Sequence, residues 1–195
     1  MLNIKDVSVN FGGIKAVDKA NMQIETGKIT GLIGPNGAGK TTLFNIIAGN
    51  IKPTMGKVML DEHDITSLPS HELFERGVLR TFQLAHEFSN MTVLENLMVV
   101  PGMQTGEKIL NTWFQRKRIE NEEREIKENA LEVINFLKLD HLTYELAGNL
   151  SGGQKKLLEL GRTMMVEAKI VLLDEVGAGV NRTLLNDITD IIKKL

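Results

Sequence analysis

Cysteine is absent from the 195 residues, so disulfides and thiolate metal sites are excluded, and the composition suits a reducing cytoplasm. An excess of charge is missing too: 23 basic against 25 acidic side chains leave a net charge of -2, with no electrostatic footprint for nucleic acid. No stretch approaches the roughly 20 apolar residues of a membrane-spanning helix. The opening Met1-Leu2-Asn3-Ile4-Lys5-Asp6 has no apolar signal region, and any membrane role is therefore expected to be peripheral. Internal repeats are lacking, which argues against a solenoid. What is present is an ordinary globular composition, 42% hydrophobic and 25% charged, in a length that suits one domain or a domain with a modest second lobe.

Against that background one stretch stands out. Residues 34–42, Gly34-Pro35-Asn36-Gly37-Ala38-Gly39-Lys40-Thr41-Thr42, fit G-x-x-x-x-G-K-[ST]. A short β-rich segment, 28–33, precedes the motif, and Leu43-Phe44-Asn45-Ile46-Ile47-Ala48-Gly49 follows it with apolar residues at helical spacing and a glycine stop. Strand, loop and helix form the context a phosphate cradle requires. Gly34, Gly37 and Gly39 remove Cβ atoms that would keep backbone N–H groups from closing on a phosphate, and the helix points its partial positive end at the same oxygens. Lys40 then reaches the β and γ phosphates, and the Thr41 hydroxyl holds Mg²⁺.

Around this loop the chain divides by pattern. Residues 2–11 and 20–24 alternate apolar and polar side chains and predict strands of an antiparallel lobe. Phe11 precedes Gly12-Gly13, so its ring sits either at a turn near the nucleotide loop or in the core. Residues 57–60 predict a further strand, 61–64 a turn and 68–77 a short helix. From Arg80 onward the composition turns to Met-rich helices, which marks a second lobe: a helix opens at 91–97, 101–106 form a loop, and Ile119, Ile126, Ala130, Val133, Ile134 and Leu137 make an apolar stripe on a highly charged helix. The charges of that helix read as a solvated face and the nine methionines as core fillers.

Two further stretches carry chemistry. Ile170-Val171-Leu172-Leu173 has the length of a buried strand and ends in Asp174-Glu175. Open α/β sheets bind ligands beyond the carboxyl ends of their strands, which positions Asp174 to hold Mg²⁺ and Glu175 to take a proton from an attacking water. Leu150-Ser151-Gly152-Gly153-Gln154, ahead of a predicted helix at 155–165, offers backbone N–H groups and a hydroxyl at a helix start, a second anion site.

These three motifs in this order resemble the ATP-binding subunits of ABC transporters, over essentially the whole chain. The resemblance implies a P-loop NTPase α/β core with an antiparallel β lobe and an inserted helical subdomain: a single ABC ATPase domain with its core in 1–83 and 151–195 and the helical part in 84–150. It implies ATP hydrolysis with ATP and Mg²⁺ bound by Asn36, Gly37, Ala38, Gly39, Lys40, Thr41 and Thr42, and adenine stacked on Phe11, with Val17 among the nucleotide-binding residues. Gln83 matches the glutamine loop that senses Mg²⁺ and the membrane subunit, so Thr41, Gln83 and Asp174 form the implied metal set and Glu175 and Gln83 the catalytic pair. The family packs two subunits head to tail, which explains the second cradle: Ser151, Gly152, Gly153 and Gln154 close over the γ-phosphate held by the other copy. Transmembrane permease subunits, a substrate-binding protein acting indirectly and a place on the cytoplasmic face of the inner membrane follow from the same resemblance.

Finer features, Phe11-Gly12-Gly13-Ile14-Lys15-Ala16-Val17, residues 77–83, residues 91–97 and Asn181 in Ala178-Gly179-Val180-Asn181, are similar to the ATPases of branched-chain amino-acid uptake. Urea uptake and lipopolysaccharide export are the related alternatives. Soluble ABC proteins of ribosomes or DNA fit less well, since those carry paired nucleotide domains or long coiled coils. Val176 departs from the family's usual proline, and the twenty residues after Glu175 contain no switch histidine. His63, His71, His86 and His141 all precede Asp174. The expectation is thus a C-terminally truncated cassette that binds MgATP and turns it over slowly.

Overall fold

The computed structural model describes residues 1–81, 87–102, 104–174, 188–189 and 191–192. The chain forms two compact units, one of Met1–Arg80 with Ala168–Asp174, the other built on Thr81–Glu167.

In the first unit, β1 (Leu2–Phe11), β2 (Ile14–Ile24), β3 (Met55–Leu60) and β4 (His63–Asp64) make an antiparallel sheet in the order β2-β1-β3-β4. The apolar alternation of β1 changes phase midway: Leu2 and Ile4 are buried, then Val7 and Val9. A bulge accounts for this, because the register with β2 shifts between Ile4 and Val7 where Asp6 takes φ +49°. Asn21 holds the bulge, accepting from the Asp6 N–H at 3.0 Å and donating to its carboxylate at 2.9 Å. Gly56 lies beneath it at φ +88°, where a Cβ would stand 2.4 Å from the Asp6 carbonyl. A two-residue turn at Asp61 (φ +45°) and Glu62 (φ +69°) joins β3 to β4, with both angles of the sign a hairpin of this twist requires.

Helix α1 (Lys40–Ile47) lays Leu43, Ile46 and Ile47 on this sheet, in one core with Leu2, Ile4, Val7, Val9, Val58 and Leu60. Burying side chains of this size contributes about 1.5–3 kcal/mol each, so the start of α1 stands on well-anchored backbone. A second, parallel ladder pairs β5 (Val78–Arg80) with β6 (Ile170–Leu172), and α2 (Ser70–Glu75) precedes β5. The predicted strand at 28–33 is absent. Residues 28–35 have no regular secondary structure, and Ile33 is 94% exposed. An apolar run becomes a strand only where a neighbour supplies its ladder bonds, and no described strand lies alongside this one.

The second unit is helical, with α3 (Val93–Met98), α4 (Ile109–Phe114), α5 (Arg116–Phe136) and α6 (Gly152–Met164). Thr92 and Glu95 cap α3 reciprocally, each satisfying the other's backbone N–H. Of the predicted stripe on α5, Ala130, Val133 and Ile134 lie inside, Ile119 and Ile126 are half-buried, and Leu137 just beyond the helix is buried. Gly161 lets α6 approach closely, since a Cβ there would stand 2.6 Å from Leu137 Cδ1. Among the described residues no helix is long and apolar enough to cross a membrane. Residues 188–189 and 191–192 are helical, with Ile188 and Ile191 buried.

Candidate functional site

The G-x-x-x-x-G-K-T loop is fixed at its carboxyl end by Gly39, the residue before α1. Its φ is +84°, and a Cβ would meet the Ala16 carbonyl oxygen at 2.4 Å and Val17 Cγ2 at 3.2 Å. Two constraints thus demand glycine here, a left-handed backbone and close approach to β2. The same approach brings Val17 to the loop. No side chain caps α1 and its first turn carries no acidic residue, so the opening N–H groups of the helix have no partner within it. Their partial positive charge points at the mouth of the loop, where Asn36, Gly37, Ala38 and Thr41 are exposed.

Lys40 crosses this mouth. Its ammonium donates to the Gly34 and Pro35 carbonyl oxygens, both at 2.8 Å. An ammonium has three donors, so two bonds hold it over the loop and one direction is left for an anion. Together with the helix end, this concentrates positive charge on a glycine-rich loop, the chemistry that suits a polyphosphate.

Phe11 ends β1 and pairs with Ile14 across Gly12 (φ +52°) and Gly13 (φ +90°). The ring is 48% exposed, which removes the core-packing alternative. The hairpin that carries Phe11 runs directly into the part of β2 that Gly39 abuts.

Asp174 lies two residues past β6, where parallel register places Arg80 opposite Leu172. The Arg80 guanidinium donates from Nη2 to Asp174 Oδ2 at 3.1 Å and from Nη1 to Asn45 Oδ1 on α1. The two charged side chains are only 12% and 13% exposed, and Arg80 Nε is buried with no hydrogen-bond partner. One guanidinium fork therefore ties the strand-end carboxylate to the helix that begins with Lys40. Sequence reasoning assigned Asp174 a metal and passed over Arg80 and Asn45. An arginine closing the apolar run Val78-Leu79 at a strand end was the available signal. Replacing Arg80 by alanine leaves a buried carboxylate unpaired, and we expect a loss of about 3–5 kcal/mol of stability. Urea denaturation measures it, and a loss below about 1 kcal/mol would show that the pair is not buried in solution.

Ser151 and Gln154 meet at the start of α6. The Gln154 side chain accepts from the Ser151 N–H at 2.8 Å, and the Ser151 hydroxyl accepts from the Gln154 N–H at 3.4 Å. This capping box uses two of the donors expected to face an anion and leaves those of Gly152 and Gly153. A Cβ on Gly152 would meet nothing within 4 Å, so no packing among the described residues requires glycine there. Beside it Lys155 pairs with Glu87 at 2.7 Å. Burial pushes the Glu87 carboxyl up, but the Lys155 hydrogen bond and its companions outweigh this and hold it below the usual carboxylate range.

The structure thus joins Gly39 to Val17, Lys40 to the loop carbonyls, and Asp174 to α1 through Arg80 and Asn45. The 151–154 stretch belongs to the second unit. Gln83 and Glu175 lie outside the described residues, as do His86 and Val176. Thr41 and Asp174 are hard oxygen donors of the kind Mg²⁺ takes.

Comparison with known proteins gives this geometry its context. The family profile described as ABC transporter matches residues 17–178. A probable branched-chain amino acid transport ATP-binding protein, LivG of Archaeoglobus fulgidus, is 44% identical over 187 residues, 94% of this chain and 70% of the relative. The protein of the same description from Methanocaldococcus jannaschii is 42% identical over 195 residues, all of this chain and 75% of the relative. Among solved structures, the ADP conformation of an ATP-binding cassette of an ABC transporter aligns with a TM-score of 0.82 at 41% identity, covering 99% of this chain and 75% of that one. A dimeric cassette in a post-hydrolysis state, bound to ADP and Pi, aligns with a TM-score of 0.78 at 26% identity, over 100% of this chain and 82% of that one.

Proposed function

Since the chain belongs to the ABC transporter family as one of its ATP-hydrolysing, ATP-binding subunits, we propose that it drives uptake of branched-chain amino acids by coupling ATP binding and hydrolysis to a membrane partner. The observation that carries the site is Lys40 held over a glycine loop pinned at Gly39. The relatives of highest identity given above, described as branched-chain amino acid transport proteins, support the solute.

In this reading the domain is a single cassette with a helical subdomain. The β and γ phosphates of ATP lie on the N–H groups of residues 36–42 and the Lys40 ammonium, and adenine lies on Phe11 beside Val17. Thr41, Asp174 and Gln83 hold Mg²⁺, which when bound screens the phosphate charge. Arg80 orients the Asp174 carboxylate for that role by occupying Oδ2. Glu175 accepts the proton of the attacking water, and Gln83 links the site to the membrane subunit. A second ATP-binding subunit packs head to tail, placing its own Ser151, Gly152, Gly153 and Gln154 against the γ-phosphate. The open space over Gly152 supports such an approach. Transmembrane permease subunits complete the assembly on the cytoplasmic face of the inner membrane, with a substrate-binding protein acting indirectly.

Disrupting the gene and following uptake of labelled leucine, isoleucine, valine and urea tests the solute. Loss of leucine uptake with urea uptake intact is expected, and unchanged amino-acid uptake would sink the assignment. The pairing has its own test. Ser151→Arg places a bulky cation where the second copy's phosphate must dock, so it should leave ATP binding by the monomer intact and block pairing with a non-hydrolysable ATP analogue. Size-exclusion chromatography that finds the variant pairing as well as the parent would exclude this stretch from the interface.

A further inference from the structure

Helix α4 carries three of the most exposed large apolar side chains among the described residues: Ile109 is 81% exposed, Trp113 83% and Phe114 81%. Ile109 and Trp113 are four residues apart and share one face of the helix, and Phe114, about 100° round from Trp113, extends the exposed apolar arc. Asn111 falls on the opposite face, and there the helix is tethered. The Asn111 side-chain amide donates to the Thr105 carbonyl oxygen at 3.1 Å and its oxygen accepts from Gln115 at 3.2 Å. Glu122 of α5 in turn accepts from the Thr105 N–H at 3.0 Å and from its hydroxyl at 2.6 Å. Hydrogen bonding of the Thr105 side chain and N–H holds the Glu122 carboxyl below the usual range, so this anchor stays ionised. The apolar edge is thus presented outward on a braced platform.

Cations flank that edge. Lys108 precedes α4, and Arg116, Lys117 and Arg118 follow it, all exposed. Arg116 and Arg118 meet Glu120 and Glu122 one turn on, at 3.5 and 2.9 Å. Exposed pairs of this kind hold little energy and exchange partners readily, and Lys117 has no ion-pair partner among the described residues. Indole and phenyl rings with an isoleucine, bordered by four basic side chains, match the boundary between headgroups and acyl chains of an anionic bilayer. The area argues against a protein partner. Three such side chains offer on the order of 500 Å², short of the roughly 800 Å² per partner of a stable protein interface. A second copy docking through the same face would bring like charges together.

We propose that α4 and its basic flanks form a contact surface for anionic phospholipid, with Ile109, Trp113 and Phe114 entering the interface and Lys108, Arg116, Lys117 and Arg118 on the headgroup phosphates. The contact is separate from the nucleotide site, so it stands or falls without the ATPase reading. It would give the subunit an affinity of its own for the membrane surface beside any protein partner.

Trp113 is the single tryptophan, so its emission reports on this surface alone. The full chain is titrated with vesicles of equal parts phosphatidylglycerol and phosphatidylcholine, and with phosphatidylcholine alone. We expect a blue shift, quenching by brominated acyl chains, and binding to the anionic vesicles at least about tenfold tighter, weakening as salt is raised. Phe114→Ser, which keeps the reporter, should weaken binding several-fold, and Lys117→Glu should narrow the preference for anionic vesicles, with circular dichroism and ATP affinity unchanged in both. Absence of a shift with either vesicle overturns the proposal, and so does equal affinity for the two. A shift seen only with detergent-solubilised permease would mean protein docking, and one that grows with protein concentration alone would mean self-association. Either result replaces the lipid surface.

Discussion

Replacing Lys40 with alanine is expected to lower the affinity for MgATP by about 10- to 10²-fold. The ammonium is the one side-chain cation that the loop itself supplies, and charge-assisted bonds to phosphate oxygens contribute about 1.5–3 kcal/mol each. The one bond left to the ammonium for an anion, when lost, corresponds to about 10- to 10²-fold in affinity. The structure adds a second effect that separates this residue from a simple point charge. Lys40 also bonds the Gly34 and Pro35 carbonyl oxygens at 2.8 Å, so the alanine variant loses the brace across the mouth of the loop. Arginine should restore the charge but not this geometry, because a planar fork cannot reproduce a compact ammonium between two carbonyls. Isothermal titration with MgATP checks both variants. An alanine variant that binds as tightly as the parent would remove Lys40 from the site, and an arginine variant that binds as tightly would leave the brace without consequence.

How much of this was legible in the sequence depended on whether local pattern or remote neighbours set the conformation. The loop was legible because its requirements are local: glycines where Cβ atoms clash or φ is positive, a lysine and a threonine at the helix start. Gly39 meets both requirements. The stripe of α5 was legible for the same reason, since 3.6-residue periodicity needs no knowledge of the partner. Three features were not. The two polar residues Lys5-Asp6 look like a lapse in the alternation of β1, whereas they mark a bulge that reverses the buried face, supported by Asn21 and Gly56 far along the chain. Residues 28–33 have the composition of a strand, but a strand is defined by the neighbours it pairs with, and composition does not name them. Arg80 reads as one member of a motif, and its bonds to Asn45 and Asp174 span 35 and 94 residues. Phe11 lies between these cases: the turn behind it was legible from Gly12-Gly13, and its exposure was settled by the fold.

The Arg80 link also sharpens what is expected of Glu175, the residue after Asp174. Asp174 is held at the end of β6 by a buried fork, at the place where an open α/β sheet puts its reacting ligand. A glutamine there keeps the size and one oxygen acceptor of glutamate but cannot take up a proton. Glu175→Gln should therefore spare MgATP affinity and lower turnover by about 10²–10⁴, the contribution of a positioned general base. Affinity by titration and initial rates, measured on the same preparations, separate these effects. A fall in affinity with unchanged turnover at saturation would make Glu175 a binding residue. Equal turnover in variant and parent would mean that the proton leaves by another group, and the carboxylate after Asp174 would then have no part in the chemistry.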